Sequence, residues 1–383
     1  GGVCMDHLRR AGRRLGCALL VGVLTAAAAA GAATVQPAGW VLRAAALLFA
    51  PAAVEAVGVL PSEPDPPALA AAAAVPPTPS PSPAPPTPTP APQPTPAPSP
   101  GAEPTPAPLT TAPPDLEDAG PIEARHYGQG SGEGYVTLAA GSIKNSTEHS
   151  DDALARAARG ELPFTVELDS PDPQVLILHT HATETYQTWE EPVYDPDFAA
   201  RTADTSLNMC AVGARMAQVL NEAGVNTLHD TTLHDSPSYT ESYGRSADTA
   251  RAYLERYPSI KVILDVHRDA LEADGTRIKP VCELEGKTAA QVMIIAGCDN
   301  GGTVSLPHWQ DNLKFAAAWE TAMETAYPGL TRPVLCGYRF YNQDVTTGSL
   351  LLEVGGHANT LEEAVRAGEY AARALAGLFG AEI

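Results

Sequence analysis

The chain has 383 residues and a formal net charge of −21. Nucleic-acid binding normally depends on a basic surface that releases counterions, so this acidic composition argues against a nucleic-acid partner. Of the 37 prolines, 23 lie between residues 61 and 114, which leaves a smaller part of the chain to form a folded core.

Residues 1–60 are predicted to form a membrane anchor region. Four arginines precede residues 15–35, an uncharged stretch of 21 residues that is long enough to cross a bilayer. The basic flank should stay cytoplasmic, so we expect a single-pass protein of the cell membrane whose later residues lie outside the cytoplasm. A cleaved signal peptide is the alternative, because Ala26 to Ala33 offers small residues for cleavage. The apolar stretch from Val41 to Leu60 could form a second membrane-associated or hairpin segment, and the sequence leaves this alternative open.

The rest of the chain divides into three parts by composition. Residues 61–130 are predicted to be a disordered Pro-rich linker, because repeated Pro steps favour an extended chain without a core. Residues 131–161 form a lead-in segment, and residues 162–383 are long enough for one domain with one sizeable core. No two of the six cysteines form a C-x-x-C pair, which favours buried apolar roles and leaves disulfide pairing open.

Strand-like and helix-like segments alternate from Gln174 onward. The last predicted helix has Asn359 as its N-cap and Glu362 as its capping-box partner. The alternation predicts an α/β fold, a three-layer αβα domain with a mainly parallel sheet. The predicted strands are residues 174–178, 225–228, 261–266, 291–296 and 350–354, and the predicted helices are residues 204–222, 245–257, 309–326 and 361–378.

Histidines and glutamates occur at three predicted strand ends. His181 and Glu184 follow the first strand, His267 follows a later one, and Glu353 lies in the last. Ligands of such domains gather beyond the carboxyl ends of the strands. Two imidazoles and one carboxylate can hold a zinc ion and leave one position open for water, so the pattern predicts a zinc hydrolase.

Several neighbours of these residues leave alternatives open. His179 is the alternate metal ligand, although a histidine there could equally hydrogen-bond to a ligand. Positions 179 and 181 would share a face if the strand continued through both. Asp265 or Asp269 could accept the outer N–H of His267.

Glu353 is predicted to be the general base, since burial raises a carboxyl pKa towards the working pH. The alternative is an interior glutamate paired with an arginine such as Arg245 or Arg339. Tyr239 and Tyr243 lie in a loop that could flank a groove. The candidates for binding substrate are Arg245, Arg268, Asn312 and Asn342.

Taken together, these residues resemble the stage II sporulation protein P family, exported cell-wall hydrolases of endospore-forming bacteria. The resemblance runs from about Gly141 to the C-terminus, with several blocks in the same order. These blocks include Ile177-Leu-His-Thr-His-Ala-Thr-Glu-Thr-Tyr186, Asp265-Val-His-Arg-Asp-Ala-Leu271 and Gly348-Ser-Leu-Leu-Leu-Glu-Val-Gly355.

The resemblance implies a fold like that of zinc N-acetylmuramoyl-L-alanine amidases and zinc exopeptidases. It also implies cleavage of the amide between muramic acid and the stem peptide, and it leaves cross-link endopeptidase activity open. The implied partners are septal peptidoglycan and the stage II sporulation proteins D and M, in the intermembrane space during engulfment. By their positions in the resemblance, His181 and His267 correspond to metal ligands and Glu353 to the general base. Glu184 lies three residues after His181, which is a carboxypeptidase-like spacing.

Two other functions remain candidates at this point. A zinc carboxypeptidase would need an arginine that holds a free terminal carboxylate. A wall-binding scaffold would keep the fold without the reaction.

Overall fold

A computed structural model of the chain describes residues 118–382. The predicted anchor region and most of the predicted linker lie outside these residues. Within residues 118–382, no helix combines the length and the apolar character needed to cross a membrane.

The core of the fold is an eight-stranded sheet with the order β2-β3-β12-β11-β13-β7-β4-β6. Its strands are largely the apolar runs expected from the sequence, because strands buried on both faces need apolar side chains at nearly every position. Their bounds are β2 Tyr135–Thr137, β3 Ser142–Ser146, β4 Val175–Leu178, β6 Thr227–His229, β7 Val262–Asp269, β11 Val292–Gly297, β12 Val334–Gly337 and β13 Ser349–Gly356.

The sheet is mixed, so the prediction of a mainly parallel sheet is wrong. Strands β13, β7, β4 and β6 run one way, whereas β11, β12 and β3 run the other way. The edge strand β2 is antiparallel to β3, and the main change of direction falls between β11 and β13. Its cause is the link from β7 to β11, which is a β-ribbon instead of the crossover helix that parallel neighbours require.

The ribbon belongs to a second, five-stranded sheet. Its two tight turns, Asp274-Gly275 and Glu285-Gly286, have positive φ at all four residues, which matches the hairpin turns that suit twisted strands. The strands are β1 Gly120–Arg125, β5 Val193–Tyr194, β8 Glu272–Ala273, β9 Thr276–Leu284 and β10 Lys287–Ala290.

Five helices complete the described fold. The last two have the bounds predicted from the sequence, but the N-cap of α5 is Thr360 and its capping-box partner is Glu363, one residue later than predicted. The correction follows from the hydrogen bonds, because Asn359 instead accepts from Gly356 N–H. The helices are α1 Asp151–Ala157, α2 Met209–Glu222, α3 Ser242–Arg256, α4 Trp309–Ala326 and α5 Leu361–Leu378.

Helices cover both faces of the central sheet, as a three-layer arrangement requires. Alternate residues of each strand face opposite sides. Ile177 and Leu264 pack in the larger core with side chains of α2, α4 and α5, whereas Leu178 and Ile263 pack with side chains of α3. The four cysteines of the described residues are buried, as the sequence favoured, and they are free, a point that the sequence left open.

Order extends further towards the N-terminus than the predicted boundary at residue 162. Strand β1 pairs with β9 and β5, although all of it falls in the predicted linker. Strands β2 and β3 extend the central sheet from within the predicted lead-in segment. Composition alone did not reveal these strands, because they are short and only partly buried.

Candidate functional site

Strand alternation places the predicted base and one predicted metal ligand side by side. His267 and Glu353 are register partners on β7 and β13. Each lies between residues of the larger core, Val266 on one strand and Leu352 and Val354 on the other, so both side chains point to the opposite face, where α3 packs. The site therefore forms on the α3 face of the sheet.

His181 reaches the same face through the turn that follows β4. Its ring lies perpendicular to that of His267, with the ring centroids 5.1 Å apart. Tyr239 stacks on His181 at 4.4 Å, and Ser242 at the start of α3 places its hydroxyl 3.4 Å from His181 Nδ1. Burial, followed by the nearby charge of His267, lowers the pKa of His181 to about 3, so its imidazole is neutral at pH 7.

His267 is surrounded by acidic side chains. Its Nε2 lies 2.8 Å from Asp265 Oδ1, close enough for an ion pair although the contact lacks the alignment of a hydrogen bond. Its Nδ1 lies 3.7 Å from Glu184 Oε2. Burial lowers the pKa of His267, but Asp265 first, and then Glu184 and Glu353, outweigh burial and raise it to about 9. The structure thus identifies Asp265, not Asp269, as the carboxylate at the outer nitrogen.

Glu353 is half-buried as a residue, and its Oε2 atom is buried. Among the described residues, its Oε2 has no hydrogen-bond partner. Burial, and then the negative charge of Asp269, raises the pKa of Glu353 to about 8, while His267 acts in the opposite direction. Arg245 and Arg339, the alternative partners, donate instead to the main-chain carbonyls of His234 and Tyr338. A buried carboxyl group with this pKa suits proton transfer near neutral pH.

Glu184 connects His267 to the rim of the site. Its Oε2 faces His267, and its Oε1 lies 3.6 Å from Arg201. Arg201 also pairs with Asp235 at 2.8 Å and lies over the ring of Tyr239 at 5.0 Å. The segment that carries Arg201 and the loop that carries Tyr239 therefore meet above His181.

His179, the alternate metal ligand, faces away from this cluster. The strand ends at Leu178, so positions 179 and 181 do not share a face, contrary to the expectation from alternation. His179 is fully buried towards α2, with Nδ1 2.8 Å from Val266 O and Nε2 2.8 Å from His229 Nε2. Since a carbonyl only accepts, His179 Nδ1 carries the proton and His229 donates to His179 Nε2.

Arg245 and Arg268, two of the predicted substrate-binding residues, use their donors within the chain. Arg245 donates to the carbonyls of His234, Ser238 and Thr240 and so fixes the loop that carries Tyr239. Arg268 is 9% exposed, and it donates to the main chain at three positions. Its acceptors are the carbonyls of Thr185, Asp269 and Ala200.

Asn312 and Asn342 separate into two cases. Asn312 is fully buried and accepts from Ser349 N–H at the first residue of β13, the strand end opposite Glu353, so the structure does not bring it to the other predicted site residues. Asn342 donates to Tyr243 O and Ser246 Oγ and thereby holds the start of α3 beside the site. Direct contact of Asn342 with substrate stays a prediction.

Some residues of the site could not be found from the sequence. Arg332 donates to Asp269 at 2.9 Å, and Arg201 pairs with Glu184 and Asp235. Neither arginine has a motif around it, and both reach the site through long-range contacts. Tyr239 was a candidate from the sequence only because it lies in a long loop. The structure shows that its ring stacks on the ring of His181.

The donor set fits zinc in the type of its side chains. His181, Glu184 and His267 supply two imidazoles and one carboxylate, and Asp265 meets the outer nitrogen of His267 as carboxylates do beside zinc-binding histidines. Within residues 118–382, no group of three or more histidine, cysteine, aspartate or glutamate side chains is arranged so that it could hold a metal ion. Glu184 also contacts Arg201, and the metal roles of the three residues stay predictions.

Comparisons with known proteins agree on one family. The model of the stage II sporulation protein P family matches residues 122–376. Stage II sporulation protein P of Bacillus subtilis (strain 168) is 30% identical over 216 residues, which are 54% of this chain and 51% of that protein. The chain thus spans about half the length of this curated relative.

Solved structures similar to the chain include amidases of low sequence identity. An N-acetylmuramoyl-L-alanine amidase from Clostridium difficile 630 is 14% identical, with 55% of this chain and 95% of that chain covered and a TM-score of 0.32. The CwlD amidase from Clostridioides difficile, in complex with the GerS lipoprotein, is 12% identical, with 53% and 94% covered and a TM-score of 0.34.

Proposed function

The chain belongs to the stage II sporulation protein P family, and we propose that it is a zinc-dependent N-acetylmuramoyl-L-alanine amidase acting on cell-wall peptidoglycan. The observation that carries the proposal is the convergence of His181, Glu184 and His267 beside Glu353, whose buried carboxylate oxygen has no partner among the described residues. These groups match two needs of amide hydrolysis, side chains that can bind a cation and a base.

Each residue has a distinct role in this proposal. His181, His267 and Glu184 hold the ion, and Asp265 fixes the orientation of His267. When bound, zinc supplies positive charge that polarises the amide carbonyl, acidifies water and lowers the pKa of Glu353. Glu353 takes a proton from the attacking water and delivers it to the leaving nitrogen, so that the amide becomes a carboxylate and a free amine.

The site also bears on the zinc carboxypeptidase alternative. That reaction needs an arginine whose donors are free to hold a terminal carboxylate. Arg201 lies beside Glu184, but its guanidinium already contacts Asp235, Thr183 and Glu184. These contacts favour cleavage of an internal amide.

The cellular setting is part of the proposal. It comprises a single span at about residues 15–35, a catalytic domain outside the cytoplasm, and action on septal peptidoglycan with the stage II sporulation proteins D and M. The described residues do not include the span, and the partners rest on the family resemblance.

Product analysis tests the reaction. The full chain is incubated with purified peptidoglycan sacculi and zinc, and the products are separated and sequenced. An amidase releases stem peptides with new amino termini and leaves glycan without peptide, whereas a carboxypeptidase releases single C-terminal residues. A protein that binds sacculi but releases nothing, with His267→Ala behaving like the unaltered chain, would be a scaffold.

A further inference from the structure

The central sheet has a second edge at which carboxyl ends of strands gather. Strands β3, β12 and β11 run parallel to one another and opposite to β4, β7 and β13. Their last residues, Ser146, Gly337 and Gly297, therefore lie at the edge opposite His181 and His267. In open α/β sheets the loops beyond carboxyl ends form ligand crevices, so this half of the sheet has a crevice of its own.

An open cavity of about 560 Å³ occupies that crevice, a size typical of small-ligand sites. Its walls come from three loops, one after each of the three strands. The lining side chains with polar or aromatic character are Glu148, His149, Asp299, Asn300, Trp309 and Tyr338.

Hydrogen bonds between the loops hold the cavity in shape. The Asp299 carboxylate accepts from Gly301 N–H at 2.6 Å and from Leu306 N–H at 2.7 Å, which fixes the loop before α4. Glu148 N–H donates to Tyr338 Oη at 2.9 Å, and this bond ties the loop after β3 to the end of β12. The walls are thus formed before any ligand arrives.

The lining predicts the chemistry of the ligand. His149 stacks on Trp309 with ring centroids 5.0 Å apart, and Tyr338 meets His149 edge-on at 6.4 Å. No lysine or arginine is among the lining residues, and two carboxylates are, so the cavity repels anions. The Glu148 carboxylate can accept hydrogen bonds, whereas Trp309 N–H and Tyr338 O–H can donate them. A ligand that fits has an apolar ring face for the aromatic wall and uncharged hydroxyl or amide groups at its edge.

We infer that this cavity binds an N-acetylated hexosamine residue of a glycan strand, at a site separate from the catalytic groups. A pyranose ring presents an apolar C–H face, and its hydroxyl and acetamide groups donate hydrogen bonds. The choice of a wall glycan rests on the proposed function. The cavity would hold the enzyme on the glycan while the opposite edge of the sheet cuts the peptide link.

Binding of a peptide-free glycan tests the inference. The full chain is titrated calorimetrically with tri-N-acetylchitotriose, alone and after Trp309→Ala or Glu148→Ala. We expect saturable binding that each substitution weakens by about tenfold or more, equivalent to about 1.4 kcal/mol. Glu148 is exposed, so its substitution tests the cavity even if Trp309→Ala disturbs the fold. Tyr257→Ala, a tyrosine outside the cavity, is the matched control and should bind like the unaltered chain.

The outcomes separate this inference from the proposed function. His181→Ala should abolish cleavage of sacculi yet leave binding of the trisaccharide unchanged. Absence of saturable binding, or equal binding by the Glu148→Ala and Tyr257→Ala proteins, would overturn the inference even if the sacculi are cleaved. Binding of a lysine-containing stem peptide at this cavity in place of the sugar would overturn it as well.

Discussion

At the scale of single residues, the surroundings of His181 and His267 shift the pKa values of these two imidazoles in opposite directions. Burial lowers the pKa of His181, whereas three carboxylates raise the pKa of His267. Of those carboxylates, Asp265 makes the shortest contact, and it is itself held by Thr180 N–H at 2.8 Å and Thr180 Oγ1 at 2.6 Å. Asp265 is therefore the residue that orients His267.

Replacing Asp265 tests this orientation. We expect Asp265→Asn to lower zinc affinity by about 10- to 100-fold, the usual effect of losing a carboxylate behind a zinc-binding histidine. Competition with a chelator measures the affinity. Asp230→Asn is the control, because this buried carboxylate bonds to Tyr253 and Thr232 and does not touch His267. Equal zinc affinity of the two variants would contradict the role of Asp265.

Replacing Glu353 tests the base. Glu353→Gln keeps the shape of the side chain but cannot accept a proton from water, so turnover on sacculi should fall by roughly 10²- to 10⁴-fold. Zinc content should stay at the level of the unaltered chain, since Glu353 is not one of the proposed ligands. A variant that retains most of its turnover would exclude Glu353 as the base.

At the scale of elements, α2 fits closely against the back of the site. A Cβ at Gly213 would lie 2.5 Å from His179 Nε2 and 2.6 Å from His229 Nε2. His179 in turn donates to Val266 O, the carbonyl directly before His267. The absence of a side chain at Gly213 thus allows the two buried rings to support the end of β7.

Two helical glycines provide a matched pair for this idea. Gly213→Ala should lower the free energy of unfolding by about 1–3 kcal/mol, because the two buried rings must move. Gly244→Ala, in α3, meets nothing within 4 Å and should be neutral or stabilising by up to about 1 kcal/mol. Chemical denaturation measures both values. Similar unfolding free energies for the two variants would show that a methyl group at position 213 fits beside the two buried rings, and would contradict the close fit of α2.

Several elements could be predicted from the sequence, and the failures have physical causes. Helices α4 and α5 have the predicted bounds because their apolar periodicity is long. The ribbon of β8, β9 and β10 went unpredicted although Asp274-Gly275 is a strong hairpin signal, and that omission produced the wrong strand directions.

The residues of the candidate site also divide into those that the sequence predicted and those that it did not. Strand ends led to His181, Glu184, His267 and Glu353, and the structure brings these four together. Contacts between distant segments, such as that of Arg332 with Asp269, depend on the finished packing and left no local pattern.

At the scale of the whole molecule, a buried carboxyl group in α4 links stability to pH. Glu320 is fully buried, and burial raises its pKa well above the usual value, although Thr331 donates a hydrogen bond to it. The folded state therefore keeps a proton that the unfolded state releases above about pH 4.3. Stability should fall as pH rises above that value.

Glu320→Gln mimics the protonated side chain and removes this dependence. The free energy of unfolding of the variant should rise relative to that of the unaltered chain between pH 5 and pH 8. The difference should grow by up to about 1.4 kcal/mol per pH unit. Urea unfolding at several pH values measures the difference. Parallel profiles for the two proteins would mean that Glu320 ionises alike in both states.

The zinc content of the purified full chain tests the central claim most directly. Elemental analysis should find about one zinc ion per chain, and His181→Ala and His267→Ala should each lose it while keeping their circular dichroism spectra. His126→Ala, an exposed histidine, should keep the ion. Zinc bound equally well by the His181→Ala and His267→Ala proteins, or not bound by the unaltered chain, would contradict the account.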